Sequence, residues 1–189
     1  SKLSNLVVDG GIWMNTQRPE WNDANNALVG QGLSMVTLYY LRRYVRFLQD
    51  LLASESDTFE LSSEIAGWLA DSAAALARFR PMLEGGQVSS SDRLALLTEL
   101  GEAASTYRAT VYENVGFKGK ATVDMADVNA VLADVLVAID YSIGNNRRED
   151  GLYHAYNLLS QTGDGIDIDS LYPMLEGQVA ALSAGAIEP

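Results

Sequence analysis

Between Leu33 and Leu51, apolar side chains recur at Leu33, Val36, Tyr40, Leu41, Tyr44, Leu48 and Leu51. Steps of three and four align them on one stripe of an α-helix, whereas a strand would need strict alternation. The run predicts a helix from Ala24 to Ala53 with this stripe buried and with Arg42, Arg43 and Arg46 on its solvated back. Gly30 and Gly32 weaken its first turns. That cost, about 1 kcal/mol each, goes with close approach by another backbone or a ligand.

Further helical stripes follow. Asp57 and Glu60 stand in capping-box spacing ahead of Ile65, Trp68, Leu69, Leu76 and Phe79, and Pro81 with Gly85-Gly86 ends that run. Ser89-Ser90-Ser91 offers an N-cap to a helix carrying Leu94, Leu97, Leu100, Ala104, Tyr107 and Val111, which stops near Gly116. After Lys120, Val128, Val131, Leu132, Val135 and Ile139 form a fourth stripe, with Asp124 and Asp127 at the positive end and Gly144 closing it. From Gly144 to Asp169 the periodicity disappears into Asn, Asp, Gly and Arg, yet Leu152, Tyr153, Tyr156, Leu158 and Leu159 argue for an ordered loop. A short helix runs from Ser170 to Ala184. The expectation is an all-α fold: two antiparallel helical hairpins, a structured loop and one more helix, in one helical domain spanning residues 1–189.

With 48% apolar residues in 189, the chain can bury one good core. A net charge of -12 repels a phosphate backbone, so nucleic acid is excluded as a partner. Its apolar runs fall far short of a bilayer span, and Ser1-Lys2-Leu3-Ser4 opens no signal peptide, so a soluble chain is expected, with the cytoplasm favoured. Without cysteine there is no disulfide, thiolate site or cysteine nucleophile, which fits a reducing compartment or a large core.

Three polar blocks could carry chemistry. The first, from Gln17 to Asn26, sets Glu20 and Asp23, Arg18, three amides and Trp21 immediately before the strongest helix. Asn22 or Asp23 could serve as a helix cap, but a carboxyl beside an indole and a second carboxylate could also have its pKa raised into the range of a general acid. The second, from Asn145 to Asn157, mixes amides, arginines and carboxylates with Tyr153, His154 and Tyr156. Aromatic faces that stack on sugar C–H surfaces, with planar polar groups that bind hydroxyls, suit a polyol ligand; they also suit an ordered loop. The lone His154 excludes a multi-histidine metal site. The third, from Tyr172 to Gln178, places Glu176 in the opening turns of the last helix, where it could simply complement the helix dipole. Asp164, Asp167 and Asp169 miss the spacing and central glycine of an EF-hand loop, and no metal is expected.

Trp21-Asn22-Asp23, followed by a small residue, Asn25 or Asn26 and Gly30, resembles the tryptophan-asparagine-aspartate segment of cellobiose-phosphorylase-like enzymes and related α/α-toroid glycosidases. Arg148 to Asn157 and Leu171 to Gln178 look like further segments of such proteins. Glu20, Pro19 and Ala24 depart from the family's approach to its motif. The resemblance implies an (α/α)6 toroid of the six-hairpin type, of which this chain would be an excised portion, with the remainder of the parent polypeptide as its partner. It also implies a glycoside hydrolase or phosphorylase in which Asp23 protonates the glycosidic oxygen. Glu176 would activate water in a hydrolase, and inorganic phosphate would be the co-substrate in a phosphorylase, with no other cofactor. Trp21, Tyr153 and Tyr156 would stack on an oligosaccharide, and Arg18, Asn22, Asn25, His154 and Asn157 would bind its hydroxyls. The rival reading is a non-catalytic helical interaction or carbohydrate-binding module.

Overall fold

A computed structural model describes residues 1–14 and 25–187, and of Asn25 and Asn26 the backbone alone. Its first element after a 3-10 turn at Lys2–Asn5 is a strand pair, β1 (Leu6–Val7) and β2 (Gly11–Trp13). The turn between them is built by Asp9 at φ 68 and Gly11 at φ 117. Gly11 is obligatory here, since a Cβ on it would lie 2.8 Å from the Ser34 backbone. β3 (Gly32–Ser34) pairs with β2, and β6 (Tyr156–Thr162) and β7 (Gly165–Ser170) complete a five-stranded antiparallel sheet in the order β1-β2-β3-β6-β7.

This sheet overturns the all-α expectation. The chain is a mixed α/β protein, and the all-α six-hairpin toroid does not describe it. The physical reason lies in strand length: β1, β2 and β3 are two or three residues each, too short for a period of two to register against a background of helical spacings. Their backbone groups are satisfied by partners far along the chain, as in the pairing of Leu33 with Asn157.

The expected helix over residues 24–53 is three elements. A single turn, α1 (Asn25–Leu28), ends before Gly30 at φ 76; β3 follows, and Ser34 then caps α2 (Met35–Leu52) by accepting from Thr37 N–H at 3.0 Å. Gly32 is there for close approach, because a Cβ would sit 2.7 Å from Leu28 and 2.8 Å from Met14. The buried side of α2 is Met35, Leu38, Tyr39 and Val45; Tyr40, Tyr44 and Leu51 of the expected stripe are exposed. Arg42, expected on the solvated back, is partly buried and donates to Asp140 at 2.6 Å and to the Ala184 carbonyl at 2.5 Å.

Asp57 and Glu60 do not form a capping box. They belong to β4 (Thr58–Ser62) and its approach, paired antiparallel with β5 (Lys120–Asp124) in a second, two-stranded sheet. Each of these strands feeds a helix whose cap is the strand's last residue. Ser62 accepts from Ile65 N–H to start α3 (Ser63–Gly85), and Asp124 accepts from Ala126 N–H to start α5 (Met125–Asn145). Gly86 at φ 69 ends α3 as anticipated, with Pro81 accommodated inside it. Ser89 and Asp92 form the full capping box of α4 (Ser90–Glu113).

The segment expected to be an ordered loop contains the β6–β7 hairpin, turning at Gly163, and α6 is shorter than expected, Leu175–Ser183. Helix α4 covers one face of the large sheet, where Val7, Leu33 and Ile166 pack with Leu94, Leu97 and Ile168. The main core lies on the other side, among Leu6, Val8, Ile12, Leu38, Tyr39, Phe79, Leu100 and Ile139. Neighbouring residues Leu6, Val7 and Val8 thus serve opposite faces, as the pleat requires. No helix among the described residues is long and apolar enough to cross a membrane.

Candidate functional site

The second and third polar blocks are stitched together by backbone contacts. Gln178 of α6 accepts from Tyr153 N–H at 2.9 Å and donates its amide to the Tyr153 carbonyl at 2.7 Å, so one side chain holds both backbone groups of a residue outside any strand. Gly177 lies so close to Ala155 that a Cβ would meet it at 3.0 Å. Leu171 N–H donates to the Tyr156 carbonyl at 3.1 Å. The carbonyl of Ala155 accepts from Met35 N–H and Val36 N–H, two orphan donors at the start of α2.

Of the first block, only the flanks are described in full. Arg18, Trp21, Asn22 and Asp23 lie outside the described residues, and for Asn25 only its backbone position at the start of α1 is described. On either side of that block, Met14 and Leu28 pack with Ala155, Tyr156, Leu171 and Met174 in one apolar cluster.

The second block's residues divide by what they already do. Tyr153 is 7% exposed; its hydroxyl donates to the Ala186 carbonyl at 3.1 Å and its ring meets Tyr39 edge-on, centroids 6.1 Å apart. Tyr39 donates to the His154 carbonyl at 3.0 Å, and burial, with Tyr153 second, raises its phenol pKa above the ordinary value. Tyr156 is also 7% exposed. Asn157 is fully buried, donating to the Gly10 carbonyl at 2.9 Å and to Asn146 Oδ1 at 2.8 Å, while its own Oδ1 has no hydrogen-bond partner among the described residues.

His154 and Glu176 are different. The His154 ring is partly buried with Nδ1 lacking a hydrogen-bond partner among the described residues. Desolvation first, and then the nearby Arg148 charge, lower its pKa, so the imidazole is neutral at pH 7. Beside it Arg148 and Asp150 form a forked pair at 2.7 to 3.1 Å. The hydrogen bonds from Arg148 and then from Leu152 N–H hold the Asp150 carboxyl down at about 2. Glu176 occupies the first turn of α6, partly exposed, where it complements the helix dipole. Tyr172, 54% exposed just ahead of it, is the aromatic ring that the third block presents to solvent.

Sequence reasoning missed a polar hub behind the site. Arg93 grips Asp9 Oδ2 through Nε and Nη2 at 3.0 and 2.9 Å, and Asn145 donates to Asp9 Oδ1 at 2.6 Å. Asp9 N–H donates to Ser142 Oγ, while the Asn146 amide bridges the Asp9 and Ser142 carbonyls. The Asp9-Gly10-Gly11 run was the available signal, since Asp-Gly marks a tight hairpin. A separate groove of about 520 Å³ lies between α3 and α5, lined by Ala66, Ala70, Ala73, Ala77 and Val131 and by no residue of the three blocks. Among the described residues no group of three or more His, Asp or Glu is arranged to hold a metal. Compared with protein-family models and with curated proteins, the chain gives no match.

Proposed function

We propose that this protein is carbohydrate-active and cleaves a glycosidic bond with Asp23 as general acid. The observation that supports the reading is that the second and third polar blocks are held together: Gln178 and Gly177 clamp residues 153–155, with Met14 and Leu28 packed on Tyr156 and Leu171 beside them. The role of Asp23 itself rests on the resemblance of Trp21-Asn22-Asp23 to the acid-bearing segment of cellobiose-phosphorylase-like enzymes. Asp23 would protonate the leaving oxygen, and Glu176 would activate water or leave that task to phosphate. Neutral His154, with an unpartnered Nδ1 among the described residues, suits a hydroxyl, and the exposed Tyr172 ring suits stacking on a sugar face.

One observation favours the rival reading of a non-catalytic binding or interaction module. Tyr153, Tyr156 and Asn157 are buried and hold the chain together, which leaves fewer groups for a substrate. Turnover of an oligosaccharide panel, with and without inorganic phosphate, separates the two. Asparagine caps a helix nearly as well as aspartate but gives up no proton, so Asp23→Asn should leave the melting temperature nearly unchanged. Cleavage of unactivated glycosides should fall by about a hundredfold or more. If the wild-type protein cleaves nothing while a sugar raises its melting temperature, the binding module is correct; normal turnover by Asp23→Asn would remove Asp23 as the acid.

A further inference from the structure

Helix α2 has a second apolar face that no other described residue covers. Opposite its buried side it presents Tyr40, Tyr44, Phe47 and Leu51, exposed by 46%, 56%, 56% and 57%. At about 100° per residue these four lie within about 60° of one another, a straight stripe along roughly 16 Å of helix. A surface helix ordinarily turns one apolar face inward and a polar face to water. Here α6, packed beside α2 and tied to it by Arg43 Nη1 on Ser183 Oγ at 2.9 Å, adds exposed Leu175, Val179 and Leu182.

The spacing of the α2 stripe, four then three then four, is the same in both directions. An antiparallel second copy therefore sets Tyr40 against Leu51 of its mate and Tyr44 against Phe47, twice over. The charges beside the stripe fall near the same register. Arg43 and Asp50 are both exposed on one flank, one heptad apart, and the two-fold that matches the apolar rows sets Arg43 level with Leu48 of the mate, two residues or about 3 Å along the axis from the mate's Asp50 and within reach of a long arginine side chain. Asp50 makes no salt bridge among the described residues, and Arg43 spends one of its donors on Ser183. A partner of unrelated sequence has no reason to match both patterns, and we propose that this face binds a second copy of the chain through antiparallel α2 packing.

The net charge of -12 on each copy opposes association, so the test belongs at physiological salt, where the screening length is about 8 Å. Sedimentation equilibrium from micromolar to several hundred micromolar should show the mass rising to that of a dimer. Phe47→Glu, at the centre of the stripe and already exposed, should remain monomeric throughout with an unchanged far-ultraviolet spectrum. Arg43→Glu should weaken the dimer by about tenfold, since it turns two exposed ion pairs into repulsions. Adding Asp50→Arg to that variant should restore affinity to within about threefold, a recovery that a merely structural role for Arg43 does not predict. A wild-type chain that stays monomeric, a dimer that survives Phe47→Glu, or a double reversal that recovers nothing would each overturn the proposal.

Discussion

Asn157 offers the sharpest separation of a fold role from a binding role. Its side-chain amide donates to the Gly10 carbonyl at 2.9 Å and to Asn146 Oδ1 at 2.8 Å, with the residue 0% exposed. Alanine at this position strands both acceptors in a place water does not reach, at about 1–3 kcal/mol for each buried group, so about 2–6 kcal/mol in total. For a chain of 189 residues, about 1 kcal/mol moves the melting temperature by roughly 2–4 °C, which predicts a fall of roughly 4–24 °C. Asn157→Asp sharpens the test because it keeps the shape. It aims carboxylate oxygens at two acceptors without solvent, so its carboxyl should have a raised pKa in the folded state. The sign then follows from linkage: the folded variant binds more protons than the unfolded one, and its stability relative to wild type recovers as pH falls from 7 toward about 4. Thermal melts read by circular dichroism at both pH values measure this. Melting within about 2 °C of wild type for either variant would show that Asn157 is free to serve a ligand and that its burial has been misread.

Two further outcomes can be checked in the same laboratory. His154 has a lowered pKa, so the unfolded chain takes up its proton first as pH falls below about 6.5, and stability is lost from there downward. Urea unfolding at pH 7.5 and 5 should show His154→Gln losing less over that interval than wild type, and parallel losses would refute a desolvated imidazole. Gly11→Ala must accept both a φ of 117 and a Cβ 2.8 Å from the Ser34 backbone, and should cost upward of about 2 kcal/mol. Gly67→Ala, inside α3 with open space around its Cβ, should gain about 0.5–1 kcal/mol, and paired melts that failed to rank the two in this order would contradict the hairpin geometry.

The helices were legible where their ends carried local chemistry. Ser89 with Asp92, Asp124 ahead of Met125, and Gly86 after Gly85 are signals that act within one turn, and the structure uses all of them. The strands were not, because a strand is defined by its partner. Leu6–Val7 means nothing alone; it becomes a strand by pairing with Ile12 and Gly11, and β3 needs Asn157. Thr58–Ser62 was masked by a coincidence, since Asp57 and Glu60 have the spacing of a capping box while the true cap, Ser62, sits later. The β6–β7 hairpin did leave a trace, Ile166 and Ile168 alternating with Asp167 and Asp169 after a glycine-rich turn. The stripe on α2 shows a different limit: periodicity reports that a face is apolar, and it does not report which of two apolar faces meets the core.

The candidate site was only partly legible for a related reason. A segment rich in Asn, Asp, Arg and Tyr has the composition of a sugar site, but it is also what an irregular connection needs to satisfy its backbone away from a ladder. The Tyr153 hydroxyl, the Asn157 NH2 group and the Gln178 amide are spent in that way, on Ala186, on Gly10 with Asn146, and on Tyr153 itself. Once their bonds are subtracted, the candidates left with a side chain reaching the surface are the half-buried His154 ring, the Glu176 carboxylate and the exposed Tyr172 ring, while His154 Nδ1 and Asn157 Oδ1 are buried without a hydrogen-bond partner among the described residues. The three candidates stand on the two blocks that Gln178 and Gly177 hold together, beside the cluster that receives Met14 and Leu28. A side chain whose bonding capacity is already used cannot turn toward a ligand without breaking the fold. The groups left over are therefore the ones to mutate first, and composition alone would have ranked Tyr153 and Asn157 ahead of them.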